Sequence, residues 1–240
     1  MNTIRHIGVI MDGNRRWARK SGLLAFQGHD KGADVFVNTC DWCIQENISY
    51  LTVYAFSTEN WKRPTEEINH IFDLFERFFK EKIDLCIEKD IKFNIIGERT
   101  KIAEFRKKTL SIIEDAEKRT KDCKKLNVQM AFSYGGRDEI VRAIKKLAND
   151  IIEQKLSIND ISEKTFPSYL DTAEIPERDA DVDLVIRTGG TDNRRLSNFL
   201  PWQTVYSELY FSDFLWPEFS KEEFDNALSY YHTVKRRKGE

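Results

Sequence analysis

Apolar residues of this chain fall into short runs of strand length that alternate with longer segments of helical period. The runs cover residues 4–11, 50–56, 91–96, 128–133, 182–186 and 205–211. Strand runs that alternate with helical segments are typical of parallel strands joined by helical crossovers. The pattern therefore predicts one α/β domain over residues 1–240, with a central, mostly parallel sheet of about six strands flanked by helices.

Two helical segments have the clearest apolar stripes. Over 29–47 the stripe includes Phe36, Cys40 and Ile44, and over 64–87 it is rich in phenylalanine. Pro64 suits the first turn of the second helix, where the N–H that proline lacks is not needed. Further helices are predicted at 103–120, 140–151 and 221–233.

Charge and composition exclude several classes of protein. The 38 basic and 40 acidic residues give a net charge of −2, which provides no global attraction to nucleic acid. No run approaches the roughly 18 apolar residues of a membrane span, and Arg15 and Arg16 interrupt any signal-like start. The four cysteines are too few to form a disulfide framework, so we interpret them as reduced thiols packed in the core. A cytoplasmic enzyme or binding protein remains.

Four loops follow predicted strands and share a chemistry. They cover 12–17, 57–64, 134–137 and 187–190; each contains arginine and three contain glycine. The carboxyl ends of parallel strands meet at one edge, where loops and helix N-termini converge on a ligand. Forked guanidinium groups and close backbone amides favour anions, so the recurrence predicts a phosphorylated ligand such as a diphosphate. For any single loop, an ordinary turn with solvated charge is an equal alternative.

Carboxylates near these loops are candidate metal ligands. Asp12 is the natural Mg²⁺ ligand, because Mg²⁺ combines one or two carboxylates with phosphate oxygens, and Glu208 is a second candidate. His29 is predicted to begin a helix, where a neutral imidazole either caps the helix or contacts the ligand. The acidic cluster at 179–183 precedes a strand, so we interpret it as a solvated turn at the opposite end of the sheet. Phosphate-loop, dinucleotide and zinc-protease signatures are missing from the sequence.

At these loops the sequence resembles the cis-prenyltransferases, most closely the bacterial undecaprenyl diphosphate synthases. The resemblance spans nearly the whole chain in family order. The segments that carry it are 6–18, which contains Met11-Asp12-Gly13-Asn14-Arg15-Arg16-Trp17, then Gly28-His29, 54–64, 183–190, Arg195-Leu196-Ser197-Asn198-Phe199, Trp202-Gln203, 208–211 and 215–217.

This resemblance implies a reaction and its partners. The family joins isopentenyl diphosphate repeatedly, in cis, to an allylic diphosphate, usually farnesyl diphosphate, with Mg²⁺ as cofactor. It implies a homodimer that makes a long-chain product, undecaprenyl diphosphate, used as a cell-wall lipid carrier. It also implies a cytoplasmic location with transient peripheral membrane contact for product release, and no nucleic-acid partner. The growing chain needs an apolar tunnel, which the helix at 68–87 and the strand at 50–56 are expected to line, unless their phenylalanines only fill the core.

The resemblance also implies residue roles. Asp12 matches the essential metal-site aspartate and Asn60 a residue associated with proton removal, so these two are the catalytic candidates. The allylic diphosphate pocket is implied at Gly13, Asn14, Arg15, Arg16, Trp17 and His29, and the loop that closes over substrate at Ser57, Thr58, Glu59, Trp61 and Arg63. The isopentenyl diphosphate site is implied at Arg187, Arg195, Leu196 and Ser197, with Glu208 as the second metal carboxylate. Arg237-Lys238-Gly239 matches a tail motif that can complete a neighbouring subunit's site.

Two departures and two competing functions stay open. Position 25 is Ala where the family often has arginine, which leaves one diphosphate contact absent or supplied by Arg19 or Lys20. The segment 191–194 is longer than the usual loop. A noncatalytic partner subunit that binds prenyl diphosphate and a metal-dependent phosphotransferase on a similar sheet are the alternatives.

Overall fold

Six strands form one parallel sheet in the computed structural model, which describes residues 3–190 and 193–234. The strands are β1 (His6–Ile10), β2 (Tyr50–Ser57), β3 (Ile91–Ile96), β4 (Leu126–Tyr134), β5 (Leu184–Arg187) and β6 (Glu208–Phe211). Their order across the sheet is β3-β4-β2-β1-β5-β6, and every pairing is parallel. The predicted α/β architecture is confirmed.

Helices connect and cover the strands. They are α1 (Asn14–Lys20), α2 (Ala25–Gln45), α3 (Thr65–Glu88), α4 (Arg99–Thr120), α5 (Gly136–Ile152), the short α6 (Glu177–Ala180) and α7 (Lys221–Thr233). Two differences from the prediction lie beside the first strand: α1 occupies a segment expected to be a loop, and α2 begins four residues before His29. Within the described ranges, no helix combines the length and apolarity needed to cross a membrane.

Helices α1 and α2 pack at unusually short distance because α2 contains two glycines. A Cβ atom added to Gly28 would lie 2.1 Å from the backbone oxygen of Asn14, and one added to Gly32 would lie 2.5 Å from the Asn14 Oδ1 atom. Glycine is the only residue that leaves room for this approach. The contact fixes α1 at the carboxyl end of β1.

The main core lies between one face of the sheet and helices α2, α3 and α4. Phe72, Phe75 and Phe132 are buried together, with ring centroids 4.4–5.0 Å apart for the Phe75–Phe132 and Phe72–Phe132 pairs. All four cysteines are free; three are buried and Cys123 is partly buried. Burial raises the pKa of the Cys86 thiol to about 11, which keeps it protonated and unreactive. The prediction of free thiols packed in the core is confirmed for Cys40, Cys43 and Cys86, whereas Cys123 is free but lies outside the core.

Side chains of α4 cover the free edge of the sheet at β3. The Thr120 hydroxyl accepts a hydrogen bond from the Phe93 N–H at 3.0 Å, and Glu117 Oε1 accepts one from the Ile95 N–H at 2.8 Å. Arg99 Nη2 donates to the Ile95 carbonyl at 2.9 Å and also to Glu117 Oε1 at 2.6 Å. Three backbone groups of this edge, the N–H groups of Phe93 and Ile95 and the Ile95 carbonyl, are therefore paired within the chain.

The acidic cluster at 179–183 is structural. It lies at the amino end of the sheet as predicted, but the interpretation as a solvated turn is wrong, because Asp179 is only 2% exposed. Asp179 Oδ1 accepts from Arg5 Nε at 2.5 Å, and Asp183 Oδ2 accepts from the Arg5 and His6 backbone N–H groups at 2.8 and 3.1 Å. These bonds attach the segment before β5 to the start of β1.

Candidate active site

Two adjoining clefts open at the carboxyl ends of β1, β2 and β5. Their volumes are about 530 Å³ and 350 Å³. Ile10 of β1 pairs with Arg187 of β5, so the loops after both strands leave the sheet at one edge. The larger cleft is lined by Ile10, Met11, Asp12, Asn14, His29, Tyr54, Ala55, Ser57, Glu59, Asn60, Arg63, Arg187, Ser197 and Asn198. The smaller is lined by Met11, Asp12, Gly13, Asn14, Arg15, Arg16, Arg19, His29 and Arg63.

The Asp12 carboxylate lies between two guanidinium groups. Its Oδ2 is 2.9 Å from Arg187 Nη2 and its Oδ1 is 3.0 Å from Arg16 Nη2. Gly189 follows β5 with φ of 114°, and a Cβ there would lie 2.6 Å from Arg16 Nη2. The sequence motifs after β1 and β5 therefore meet, as predicted, around one acidic anchor.

Arg187 is almost fully enclosed, with a side chain that is 6% exposed. Its Nη1 donates to the Ser197 hydroxyl at 2.6 Å and to the Arg195 carbonyl, and its Nε has no hydrogen-bond partner among the described residues. A buried guanidinium requires a nearby anion to offset its desolvation. Asp12 supplies that charge here, and the bond to Ser197 brings the segment after β5 to the cleft.

Glu67 of α3 is a site residue that sequence reasoning missed. Its Oε1 is 3.0 Å from Arg63 Nη1, 3.5 Å from His29 Nε2 and 3.7 Å from Arg15 Nε. The His29 ring and then the charges of Arg63 and Arg15 outweigh burial and hold the pKa of Glu67 below its usual range. The available signal was its position four residues after Arg63, where a helical side chain can reach back.

The loop after β2 forms the 3₁₀ helix Thr58–Lys62. Asn60 Oδ1 accepts a hydrogen bond from the Ser57 N–H at 3.0 Å, which places Asn60 on the cleft wall. Trp61 instead packs into the core, with its ring centroid 5.1 Å from that of Phe56 and its Nε1 donating to Ser133 Oγ at 3.0 Å. Its contacts indicate that Trp61 anchors the loop.

Several predicted site residues lie elsewhere. Glu208 begins β6 opposite Leu184, whereas Arg187 at the cleft pairs with Phe211, so Glu208 is roughly 10 Å farther down the sheet. Within one chain it does not reach Asp12. His29 lies in the second turn of α2 rather than at its start. Neither cleft is lined by Trp17, Thr58, Trp61, Arg195 or Leu196, and the tail motif 237–239 falls outside the described residues.

The glycine loop after β4 does not form the anion cradle that its composition suggested. The Gly136 N–H donates to the Asn198 carbonyl at 2.8 Å and the Arg137 N–H donates to Asn198 Oδ1 at 2.9 Å. A Cβ on Gly136 would lie 2.0 Å from Pro201. The amides at the start of α5 are therefore occupied by protein, and the glycines are required for packing.

An apolar cavity of about 100 Å³ adjoins the clefts. It shares Met11, Asn14 and His29 with both of them and extends between α2, α3 and the sheet. Its remaining walls are Gly32, Ala33, Phe36, Ala55, Ile71, Leu74, Phe75, Phe78, Met130, Phe132 and Trp216. A cationic cleft beside an apolar cavity suits a ligand with an anionic head and a hydrocarbon tail.

Asp12 is the carboxylate best placed for a divalent metal. No cluster of three or more histidine, cysteine or acidic residues suited to a metal occurs in residues 3–190 and 193–234. Mg²⁺ does not need such a cluster, since it is commonly held by one or two carboxylates together with waters and substrate phosphates. The half-exposed Asp12, 31% accessible at the cleft wall, fits that donor set once a diphosphate is bound.

Comparisons with known proteins agree across the chain. Residues 10–239 match the model of the prenyltransferase family of undecaprenyl diphosphate synthases. The chain is 41% identical over 239 residues to an isoprenyl transferase of Thermotoga maritima, covering 100% of this chain and 98% of that protein. It is 41% identical over 237 residues to a geranylgeranyl-diphosphate-specific tritrans,polycis-undecaprenyl-diphosphate synthase of Thermoplasma acidophilum, covering 98% and 88%.

Two crystal structures share the fold. Lavandulyl diphosphate synthase from Lavandula x intermedia, in complex with dimethylallyl diphosphate, superimposes with a TM-score of 0.92 at 32% identity, covering 99% of each chain. A probable undecaprenyl diphosphate synthase from Campylobacter jejuni superimposes with a TM-score of 0.79 at 36% identity, covering 100% of each chain.

Proposed function

The chain belongs to the undecaprenyl diphosphate synthase family of prenyltransferases, and on that premise we propose that it adds isopentenyl diphosphate units in cis to an allylic diphosphate. The observation that carries the proposal is the meeting of Asp12, Arg16 and Arg187 at one edge of the sheet, beside an apolar cavity. The cationic edge binds two diphosphate head groups, and the cavity receives the hydrocarbon tail.

Each cleft is assigned one substrate. Arg15, Arg16, Arg19, His29 and Arg63 line the smaller cleft, and the allylic diphosphate binds there, next to the first turn of α1. Arg187 and Ser197 hold the diphosphate of isopentenyl diphosphate in the larger cleft. Asp12 lines both clefts, so it lies where the two substrates must meet.

The magnesium ion is part of this proposal. Asp12 would hold it together with diphosphate oxygens, and when bound the ion supplies positive charge that stabilises the departing diphosphate. Pairing with Arg187 and Arg16 keeps the Asp12 carboxylate oriented toward the cleft before substrate arrives. Glu208 does not reach Asp12 within one chain, so it takes part in this scheme only if the second subunit of a homodimer brings its own Glu208 to the cleft.

The reaction places demands on the surrounding side chains. The alkene of isopentenyl diphosphate attacks the allylic C1 atom as diphosphate leaves, so negative charge develops on the leaving group, where arginines stabilise it. A proton must then leave C2 of the attacking unit. An amide is a weak base, so Asn60 acts here by orienting a water molecule or a diphosphate oxygen that accepts the proton.

The specific product and location are also proposals. Farnesyl diphosphate as primer and undecaprenyl diphosphate as product, used as a cell-wall lipid carrier, follow the family resemblance. The Thermoplasma relative is named as specific for geranylgeranyl diphosphate, and the lavender enzyme was crystallised with dimethylallyl diphosphate. A growing tail would extend the cavity into a tunnel between α2 and α3. We further propose a cytoplasmic homodimer with transient membrane contact at product release.

Incubation with labelled isopentenyl diphosphate, farnesyl diphosphate and Mg²⁺ tests the function. We expect labelled polyprenyl diphosphates, whose chromatography after dephosphorylation gives chain length. Binding without product would identify a noncatalytic partner subunit, and phosphate transfer without carbon–carbon bond formation would identify a phosphotransferase. Parallel reactions with dimethylallyl and geranylgeranyl diphosphate identify the preferred primer.

A further inference from the structure

The segment after β5 is strained where it lines the larger cleft. Ser197, Asn198 and Leu200 have φ values of 50°, 65° and 46°, in the left-handed region that costs energy for residues with a side chain. Three such residues within four positions persist only where surrounding contacts determine the backbone. The hydrogen bonds of Asn198 provide those contacts.

Asn198 joins three parts of the molecule. Its carbonyl accepts from the Gly136 N–H and its Oδ1 accepts from the Arg137 N–H, which pairs two amides at the start of α5. Its Nδ2 donates to Glu59 Oε1 at 3.2 Å, on the 3₁₀ helix after β2. One amide side chain therefore connects α5 with the loop over the cleft.

The network continues through the neighbouring residue to the reaction centre. Ser197 accepts a hydrogen bond from Arg187, and Arg187 is paired with Asp12. Asp12, Arg187, Ser197, Asn198 and Glu59 thus form an unbroken series of bonded or adjacent groups, and all five line the larger cleft.

We propose that Asn198 is a positioning residue that connects the loop after β2 with the segment after β5. Through this connection both walls of the larger cleft close on isopentenyl diphosphate as one unit. The assignment of isopentenyl diphosphate to this cleft rests on the proposed function, whereas the mechanical link between the two walls does not. In this arrangement Glu59 acts through its bond to Asn198 rather than through contact with substrate.

The environment of Glu59 supports this role. Burial raises the pKa of Glu59, but hydrogen bonds from its own backbone amide, Asn198, Ser57 and Thr58 outweigh burial and hold that pKa below its usual range. Glu59 is therefore a charged acceptor for the Asn198 amide. A hydrogen bond to a charged group changes an equilibrium by roughly tenfold or more, which is large enough to detect.

Swapping the amide and the carboxylate between positions 198 and 59 isolates the hydrogen bond between them. Asn198→Asp keeps the acceptor for the Arg137 N–H and tolerates the left-handed backbone, but it places a carboxylate against Glu59. Glu59→Gln keeps an acceptor for Asn198. The double variant lets the new glutamine amide donate to the new aspartate, which restores the bond with reversed direction. Asn38→Asp, at an exposed position of α2, is the matched control.

Two measurements on the full chain test the proposal. For Asn198→Asp we expect the KM for isopentenyl diphosphate to rise about tenfold, the KM for the allylic diphosphate to change less than about twofold, and amide hydrogen exchange of 57–62 to accelerate. Asn38→Asp should match the wild type. Glu59→Gln, which keeps only a neutral acceptor, should raise the KM for isopentenyl diphosphate less than Asn198→Asp does, and the double variant should return both readouts to the Glu59→Gln values.

An unchanged KM for isopentenyl diphosphate, or a folded double variant without recovery, would overturn the proposal. If Asn198→Asp does not fold, Glu59→Ala removes the same bond from an exposed position, and unchanged exchange of 57–62 in that variant overturns the link. If amide hydrogen exchange of 57–62 changes in the variants as expected but the wild type makes no polyprenyl product, the link between the two walls stands and the proposed function is refuted.

Discussion

Asp12 contacts residues from several parts of the candidate site. Its carboxylate pairs with Arg187 and Arg16, and its backbone carbonyl accepts from the Thr188 hydroxyl and the Trp216 N–H. The backbone bonds hold the turn after β1 independently of the side chain. Removal of the carboxylate therefore leaves the turn after β1 in place, but it deprives the buried Arg187 of its paired anion.

We expect Asp12→Ala to lower turnover by about 10²–10³-fold, the usual cost of losing one preorganised electrostatic group. Steady-state assays with both substrates measure the loss, and far-ultraviolet circular dichroism should show an intact fold. Asp12→Asn, which keeps the shape without the charge, should lose a similar amount. Near-normal turnover in a folded Asp12→Ala protein would contradict the assignment.

His6 makes stability depend on pH. It is fully buried, with its ring nitrogens 3.1 Å from the Asp179 carbonyl and 2.8 Å from the Thr52 hydroxyl. Burial lowers the pKa of His6 from 6.5 to about 4, against weaker opposing contributions from the Asp179 backbone and the charges of Asp183 and Asp179. Between these values the unfolded chain binds the proton more readily than the folded one, so stability is complete above pH 6.5 and falls on acidification.

We expect this residue to account for about 2 kcal/mol of the free energy of unfolding that is lost between pH 7.5 and pH 5. Urea titrations of the wild type and His6→Gln at both pH values measure the difference. The variant should be less stable at pH 7.5 but should lose less on acidification. His232→Gln, at an exposed position of α7, should retain the full loss, and equal losses in the wild type and His6→Gln would refute the prediction.

At the scale of elements, the α1–α2 contact determines where the diphosphate residues lie. We expect Gly28→Ala to cost about 1–3 kcal/mol of stability, because its Cβ would overlap the Asn14 backbone and force the helices apart. The displacement would also move Arg15 and Arg16, so calorimetry should show weaker binding of inorganic pyrophosphate. Ser21→Ala, exposed at the helix corner, should change neither quantity; an unaltered Gly28→Ala protein would rule out this role for the contact.

Element periodicity predicted most of the fold but not its short pieces. Strand β3 and helix α7 have the predicted bounds because their apolar patterns are regular and their ends are marked. Helix α1 was missed because its seven residues contain four cationic side chains and only two apolar ones, too few to show a period. It packs through Asn14 against Gly28 and Gly32 of α2.

The residues at the centre of the site could be predicted because the ends of parallel strands meet at one edge of the sheet. Residues whose role depends on how far a side chain reaches could not be predicted. Asp12, Arg16, Arg63 and Arg187 follow strand ends or lie one helical turn away, so parallel topology alone placed them at one edge. Glu67 was missed because its role depends on three partners from α1, α2 and the loop after β2. Glu208 does not lie at that edge within one chain, because β6 begins at Glu208 and only its other end, at Phe211, pairs with Arg187.

At the scale of the whole molecule, we expect burial of the product's hydrocarbon tail in the apolar cavity to control how fast product is released. Each buried CH₂ group contributes about 0.8 kcal/mol, so every added five-carbon unit increases retention. We expect micelles or lipid vesicles to raise steady-state turnover while leaving the first turnover unchanged. Rapid-quench experiments separate the two phases, and inhibition or equal acceleration of both would show that release is not limiting.

The covered rim at β3 has a consequence for how the protein behaves when concentrated. An open parallel sheet ordinarily offers its last strand as a template on which other chains can stack into fibrils. Thr120, Glu117 and Arg99 occupy three of the backbone groups of β3 from within the chain, so we expect this edge to resist growth by strand addition. We therefore expect the concentrated protein not to form fibrils along that edge.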